Sequence, residues 1–119
     1  MSSIIKMGTA LYLKVSVSLQ REDMDRLNEI HREFEKSGDE SFVFDFSDLR
    51  SISEKACFLL ASIQAVARAK GKVYVLTPKS VVMDQLLELK IIKISEVYEN
   101  RALIAQAMKN KVRGNIPEV

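Results

Sequence analysis

Short polar side chains gather at one strand-to-helix junction, where they are well placed to do chemistry. Ser47, Ser51 and Ser53 follow the apolar strand sequence FVF, and Glu54 opens a run rich in alanine and leucine. A serine oxygen at such a place can accept a hydrogen bond from a free N–H group at the start of a helix. Ser53 alone, or Ser51 with Glu54 as a capping box, has the required spacing. The alternative use of these side chains is a regulatory surface for another protein.

A carboxylate stands just ahead of this junction. Asp45 lies between Phe44 and Phe46, at the C-terminal end of the predicted strand. Open α/β sheets place their ligand sites at that edge. A carboxylate there can equally accept N–H bonds from the loop that follows, residues 47–51. We expect this structural role for Asp45.

The residues that most enzymes need are sparse in this chain. It has one histidine and one cysteine. His31 has no second histidine or cysteine with which to complete a metal site, so we expect it to be a helix-face residue. Cys57 falls in the first turn of a helix, where a thiol pKa can drop, but its apolar neighbours predict inert burial. No glycine-rich phosphate loop is present. We therefore expect no enzyme, no metal and no cofactor.

Periodicity assigns these residues to alternating strands and helices. Leu11, Leu13 and Val15 alternate with more polar residues, as in a strand with one buried face. Alternating strands and helices imply parallel pairing in one sheet, with the first two strands as an antiparallel start. The predicted fold class is α/β, a mixed sheet of about four or five strands packed with about four α-helices. The predicted strands are residues 4–7, 10–17, 41–46, 72–76 and 91–97, the last of these pairing near 94–97, and the predicted helices are residues 21–36, 54–70, 79–89 and 100–108.

Length and charge fit a single domain. A chain of 119 residues can bury a real core, and we predict a domain over residues 1–108 with a flexible tail at 109–119. The net charge is +2 and 29% of the residues are charged. A small basic cluster lies in the tail and predicts a solvated end, with no nucleic-acid partner. The residues expected in the core are Val43, Leu60, Ile63, Val75 and Leu87.

The expected location is the cytoplasm. No window approaches the roughly 18 uncharged apolar residues that a membrane-crossing helix needs, so we expect no direct insertion into a membrane. The N-terminus lacks the apolar segment and cleavage site of a secretion signal. The single cysteine has no partner for an internal disulfide, which fits a reducing compartment.

An ordered series of short motifs runs through the chain. The strand VFDF at 43–46 precedes a loop with Leu49 and Ile52 at its apolar positions, and the tetrapeptide SEKA at 53–56 opens the helix. The segments GKVYVLTP at 71–78, LEL at 87–89 and EVY at 96–98 follow in order. This series resembles the STAS domain, which is shared by bacterial anti-sigma-factor antagonists and the cytoplasmic tails of sulfate transporters. The resemblance implies one STAS-like domain over nearly the whole chain.

The resemblance also implies a phosphoacceptor position, and the residue there has no hydroxyl group. In antagonists of the phosphorylated kind the tetrapeptide reads D-[ST]-[ST]-G, and its first hydroxyl accepts the phosphoryl group. Here Ser53 stands for the aspartate, Glu54 for the acceptor and Lys55 for the second hydroxyl, while Ala56 replaces the glycine. We therefore expect no phosphorylation at the usual position. Ser53 is the nearest surviving hydroxyl and a candidate displaced acceptor, with Ser51 behind it.

The function that the resemblance implies is protein binding in a partner-switching pathway. The partner would be an anti-sigma-factor kinase. The alternative is a cytoplasmic regulatory subunit of a lipid or anion transporter complex, where the partner would be a transporter ATPase. A homodimer is left open. The predicted partner surface consists of Ser47, Ser51, Ser53, Glu54, Lys55 and Phe58, with Ser62 and Gln64 further along the outer face of the helix.

Overall fold

The computed structural model describes residues 2–77 and 81–114, with side chains described up to residue 109. Two 3-10 turns, Arg21–Asp23 and Ile94–Glu96, interrupt the regular elements. The strands are β1 Ser3–Met7, β2 Ala10–Lys14, β3 Ser18–Leu19, β4 Ser41–Asp45, β5 Ser51–Ile52, β6 Lys72–Leu76 and β7 Val97–Tyr98, and the helices are α1 Met24–Lys36, α2 Glu54–Lys70, α3 Val81–Glu88 and α4 Arg101–Gly114.

One five-stranded sheet forms the centre of the molecule, in the order β1-β2-β4-β6-β7. β1 and β2 are antiparallel, and the other neighbours are parallel, as the alternation of strands and helices predicted. Gly8 opens the two-residue turn between β1 and β2 with a φ of 62°, a left-handed value that glycine adopts without strain. β3 and β5 form a separate two-stranded parallel ladder beside the candidate site. The mixed α/β sheet is confirmed.

The two faces of the sheet are covered differently. Alternate residues of β2, β4 and β6, such as Leu13, Phe44 and Val75, join the main core with α1, α2 and α3. The opposite residues, such as Val43 and Tyr74, form a second cluster with Ile104 of α4. Both faces of the central strands are therefore buried, which explains their nearly continuous apolar sequences.

The junction between α2 and β6 follows the prediction closely. Helix Glu54–Lys70 and strand Lys72–Leu76 have the predicted bounds. Gly71 separates them, and its N–H donates to the carbonyl oxygen of Ala67. A Cβ atom at position 71 would lie 2.0 Å from the carbonyl oxygen of Glu40. The close approach of two backbones therefore requires glycine here.

Some predicted elements are wrong. The strand predicted over 10–17 ends at Lys14, because the chain leaves the sheet and pairs again as β3. The strand predicted over 91–97 is only Val97–Tyr98. Ile91 and Ile92 are buried, but their N–H groups donate to the carbonyl oxygen of Leu86, so they fill the core as a loop.

The later helices also differ from their predicted limits. α3 is described over Val81–Glu88, and residues 79–80 of its predicted span lie outside the described residues. Leu86 is buried where Leu87 was expected, because Leu86 faces the sheet and Leu87 is half-buried beside it. α4 continues to Gly114, past the predicted end at 108 and into the predicted tail. Residues 115–119 of that tail lie outside the described residues. The other expected core residues are buried, namely Val43, Leu60, Ile63 and Val75.

Candidate functional site

Asp45 is a fully buried anchor for the loop that follows β4. Its side chain is 0% exposed. Oδ1 accepts hydrogen bonds from the N–H of Ser47, at 2.9 Å, and from the Ser47 hydroxyl. Oδ2 accepts hydrogen bonds from the Tyr12 hydroxyl at 2.8 Å and from the Arg101 guanidinium at 3.0 Å. The predicted structural role of Asp45 is confirmed.

These contacts fix the protonation states of the cluster. Burial alone would raise the pKa of Asp45, but the hydrogen bonds from Ser47, Tyr12 and Arg101 outweigh it, so its pKa falls below the ordinary value. Burial, followed by the hydrogen bond to the Asp45 carboxylate and its charge, raises the pKa of Tyr12 to about 12. Asp45 is therefore an anion and Tyr12 a neutral phenol at physiological pH. Neither group titrates near neutrality, where a general acid or base would have to work.

Sequence reasoning missed Tyr12 and Arg101 as members of this cluster. The parallel pairing of β2 with β4 brings Tyr12 opposite Val43, two residues before Asp45 on the same face. Arg101 is the first residue of α4, and its Cζ lies 5.9 Å from the centroid of the Tyr12 ring. The register of the two strands and the docking of α4 are long-range properties. No local pattern around either residue signals them.

The loop between Ser47 and Ser53 is held by the segment 17–20. Backbone N–H groups of Arg50 and Ser53 donate to the carbonyl oxygens of Val17 and Leu19, at 2.7 and 2.8 Å. Ser51 lies in β5, and its hydroxyl donates to the Ser18 hydroxyl at 3.1 Å. The predicted capping box of Ser51 with Glu54 is therefore wrong, because pairing with β3 holds Ser51 in a strand.

Ser53 is the N-cap of α2. Its φ and ψ, −76° and 159°, are extended, and its hydroxyl oxygen accepts the N–H of Ala56 at 3.2 Å. The prediction that Ser53 alone serves as the cap is confirmed. Glu54 follows as the first helical residue, where a negative charge interacts favourably with the helix dipole by roughly 0.3–1 kcal/mol. Glu54 and Lys55 are both exposed.

An apolar groove runs beside the start of α2. Phe58 is 69% exposed and lines a groove of about 370 Å³ between α2 and α3. Leu89, 53% exposed, and Glu54 line the same groove. Cys57 also lines the groove but is buried, and burial followed by the charge of Glu54 raises its thiol pKa. The predicted burial of Cys57 is confirmed.

The structure places the predicted partner residues in different settings. Ser47 is half-buried and bonded to Asp45, and Ser51 is exposed but bonded within the β3–β5 ladder. Glu54 and Phe58 line the same groove. Gln64, predicted on the outer face of the helix, is fully buried one turn after Leu60. We name the segment from Ser47 to Ser53, together with the exposed residues Glu54, Lys55 and Phe58, the loop–helix surface.

Three other features of the molecule bear on function. His31 lies on α1, where its Nδ1 is 2.6 Å from a carboxylate oxygen of Glu35, so the helix-face prediction is confirmed. Across residues 2–77 and 81–114, no three histidine, cysteine, aspartate or glutamate side chains are grouped to hold a metal ion. No helix in the same two ranges combines the length and the apolarity needed to cross a membrane.

Comparisons with known proteins give likeness in structure only. No protein-family model matches the sequence, and no curated protein matches it. The anti-sigma factor antagonist SpoIIAA in its unphosphorylated form matches with a TM-score of 0.72 and 11% identity, over 98% of this chain and 100% of that chain. The phosphorylated form of SpoIIAA, a Bacillus cell fate determinant, matches with a TM-score of 0.71 and 11% identity, over 91% and 98%. The protein TM1081 matches with a TM-score of 0.69 and 19% identity, over 92% and 86%. This chain therefore has the STAS fold, the fold of the anti-sigma-factor antagonist SpoIIAA.

Proposed function

We propose that this protein is a protein-binding domain of the anti-sigma-factor-antagonist kind, and that it binds its partner through the loop–helix surface. The observation that carries the proposal is Phe58, a large apolar side chain left 69% exposed beside a groove of about 370 Å³. Exposed apolar side chains grouped at a groove and rimmed by polar residues are typical of protein-interaction sites.

The loop–helix surface is also preorganised. Asp45 holds the start of the loop through Ser47, and β3 holds its end through Ser51. A loop fixed before binding loses little conformational entropy when a partner docks, so more of the contact energy contributes to affinity. The side chains of Ser47 and Ser51 therefore fix the conformation of the loop and contribute less to direct contact with the partner.

Affinity and specificity come from different parts of the surface. Phe58 of this surface and Leu89, which lines the same groove, offer an apolar centre, which the partner fills with an apolar side chain of its own. Glu54 and Lys55 form a rim that carries both signs of charge, which selects partners with the complementary pattern. Anti-sigma-factor kinases are the partner class that the fold favours.

Glu54 distinguishes this chain from a phosphorylated switch. A glutamate carries one charge and two oxygens, where a phosphoserine carries nearly two charges and three oxygens. We propose that Glu54 supports the start of α2 and does not imitate a phosphate. Replacement of Glu54 by serine should then leave partner binding unchanged and slightly lower the stability of the helix. Stronger binding by Glu54→Ser would show phosphate mimicry instead.

The partner is identified by affinity capture from the native host, followed by mass spectrometry. We expect wild-type protein to retain a kinase-type anti-sigma factor and Phe58→Ala to lose it. Leu103→Ala is the matched control, because Leu103 on α4 is also an exposed apolar residue, at 41%, away from the groove. Equal recovery by all three proteins would reject the loop–helix surface as the binding site.

The captured kinase also tests the phosphoacceptor. Incubation of the protein with that kinase and ATP, followed by phosphopeptide mapping, should show no phosphate at residues 51–54. Stoichiometric phosphate on Ser53 would overturn the proposal that this chain is not switched by phosphorylation. Ser53 already accepts the Ala56 N–H, so its modification would also disturb the cap of α2.

A transporter complex is the second candidate function, favoured by the glutamate at position 54. A subunit that holds a transporter ATPase in place needs no phosphoacceptor, so the absence of a hydroxyl group at Glu54 is compatible with this role. The same capture experiment separates the two functions. Recovery of a transporter ATPase or permease with wild type, lost in Phe58→Ala, would support the transporter role on the same surface.

A further inference from the structure

β1 is an edge strand whose outer side is free of pairing among the described residues. It pairs with β2 on one side only, from Ser3 opposite Lys14 to Met7 opposite Ala10. The two-residue turn makes Met7 and Ala10 a hydrogen-bonded pair, and such pairs alternate along an antiparallel ladder. The N–H and C=O groups of Ile4 and Lys6 therefore point outward from the sheet.

Two side chains of this edge strand are apolar and exposed, although edge strands are usually protected against pairing with other chains. Ile5 is 53% exposed and Met7 is 60% exposed. Both lie on the face that α4 covers further in, and Met7 lines a groove of about 310 Å³ with Ala10, Tyr12 and Met108. Edge strands normally avoid pairing with other chains through charges, proline or bulges. The sequence SIIKM contains no proline and one charge.

That one charge is compensated within the chain. Lys6 Nζ lies 3.8 Å from a carboxylate oxygen of Asp39, a buried residue. A lysine that points into solvent without a counter-charge would repel the lysine of a second copy. Lys6 is partly neutralised by Asp39, so it protects the edge less than its residue type suggests.

We propose that β1 pairs antiparallel with β1 of a second copy of this chain, about a two-fold axis at Ile5. This register pairs all five residues of β1. Ile5 faces Ile5 of the second copy, Ser3 faces Met7, and Ile4 faces Lys6, with the outward N–H and C=O groups of Ile4 and Lys6 making the ladder. A register that centres on Lys6 places two lysines directly opposite, which is unfavourable, and one that centres on Ile4 pairs only three residues of β1.

A second copy fits this edge because the pairing is self-complementary. A two-fold interface needs the same surface on both partners, and the register about Ile5 supplies apolar pairs at and beside the axis. A pair of five-residue strands buries less area than a standard interface, so the dimer is weak and depends on concentration. The interface shares no residue with the loop–helix surface and does not rest on the proposed function.

Cysteine cross-linking tests the register directly. Residues opposite each other in a non-hydrogen-bonded antiparallel pair have Cβ atoms about 4.5–5.5 Å apart, within reach of a disulfide after small adjustment. We expect Ile5→Cys to form a disulfide-linked dimer under copper phenanthroline. Ser3→Cys and Met7→Cys should each link poorly alone and link to each other when mixed. Wild type controls for Cys57, and Ser62→Cys controls for a cysteine exposed elsewhere, on α2.

Sedimentation velocity over a range of concentrations tests the backbone pairing. Lys6→Pro removes an outward N–H and leaves the bonds between β1 and β2 in place, so it should be monomeric where wild type dimerises. Lys6→Ala keeps the N–H and should dimerise. Circular dichroism confirms that the variants fold. A monomeric wild type at millimolar concentration, dimerisation of folded Lys6→Pro, or linkage of Ile5→Cys no faster than Ser62→Cys would overturn the proposal.

Discussion

The two faces of the sheet are stabilised in different ways. On one face α1, α2 and α3 bury a continuous apolar core that includes Phe34, Phe44 and Leu60. On the other face α4 lies alone, attached by Ile104 and by the buried Asp45 carboxylate. The first face is stabilised mainly by apolar burial, whereas the second combines a small apolar cluster with a polar anchor. Changes on the first face should therefore alter global stability most.

The largest effect is expected for Leu60→Ala on α2. Leu60 is fully buried in the main core, so its truncation leaves a cavity and should lower the free energy of unfolding by roughly 2–5 kcal/mol. Denaturation by urea, monitored by circular dichroism, measures this. Leu103→Ala on α4 is the control and should change stability little. A loss below about 1 kcal/mol for Leu60→Ala would mean that the three-helix face is not the main source of stability.

A smaller effect of opposite sign is expected for Gln64→Met on the same helix. Among the described residues, both polar atoms of the Gln64 side chain are buried without a hydrogen-bond partner. An unsatisfied buried polar group costs roughly 1–3 kcal/mol, and methionine fills a similar volume without that cost. The variant should therefore unfold at higher temperature than wild type. A lower melting temperature would indicate that the Gln64 amide makes a stabilising hydrogen bond in the folded protein.

The smallest effect is expected for Asp45→Asn, on the face of the sheet that α4 covers, where the pH dependence of the free energy of unfolding should change. Because the folded-state pKa of Asp45 is depressed, its contribution to stability is present above the unfolded pKa of about 3.9 and is lost as pH falls through the folded pKa. Asp45→Asn should be less stable than wild type at pH 7, and the difference should shrink at lower pH. The free energy of unfolding at pH 7 and pH 3 measures this.

The carboxylate of Glu96 also contributes to the acid sensitivity of the fold, so it must be considered in that experiment. Hydrogen bonds from Arg68, with the Lys93 N–H, lower the pKa of Glu96 despite the opposing effect of burial. Asp45→Asn should therefore retain part of the acid sensitivity of wild type. A difference between wild type and Asp45→Asn that is the same at both pH values would show that Asp45 is not ionised in the folded protein.

Local sequence predicted the centre of the fold well. Helix Glu54–Lys70 and strand Lys72–Leu76 have the predicted bounds, because a long run of good helix formers ends at Gly71 and a β-branched run follows it. The strand predicted at 91–97 failed because Ile91 and Ile92 are apolar for a different reason. They close the core from a loop, and a short apolar run does not distinguish that from a buried strand.

The candidate site was predicted only where it depends on neighbours in sequence. Ser53 as the cap of α2 is a local feature, and so is the bond from Ser47 to Asp45. The spacing of Ser51 and Glu54 predicts a capping box, but the residue that holds Ser51, Ser18, is 33 residues away and leaves no local signal. Tyr12 and Arg101 were missed for the same reason, since strand register and helix docking bring them to Asp45.

The central claim is that the loop–helix surface binds a protein partner, and one titration tests it most directly. The captured partner is titrated by calorimetry with wild type, Phe58→Ala and Lys55→Glu, each checked for an unchanged melting temperature. Truncation of a central apolar contact should weaken binding by at least about tenfold, and Lys55→Glu should weaken it less, through the rim. Equal affinity of all three proteins, with their folds intact, would contradict the account.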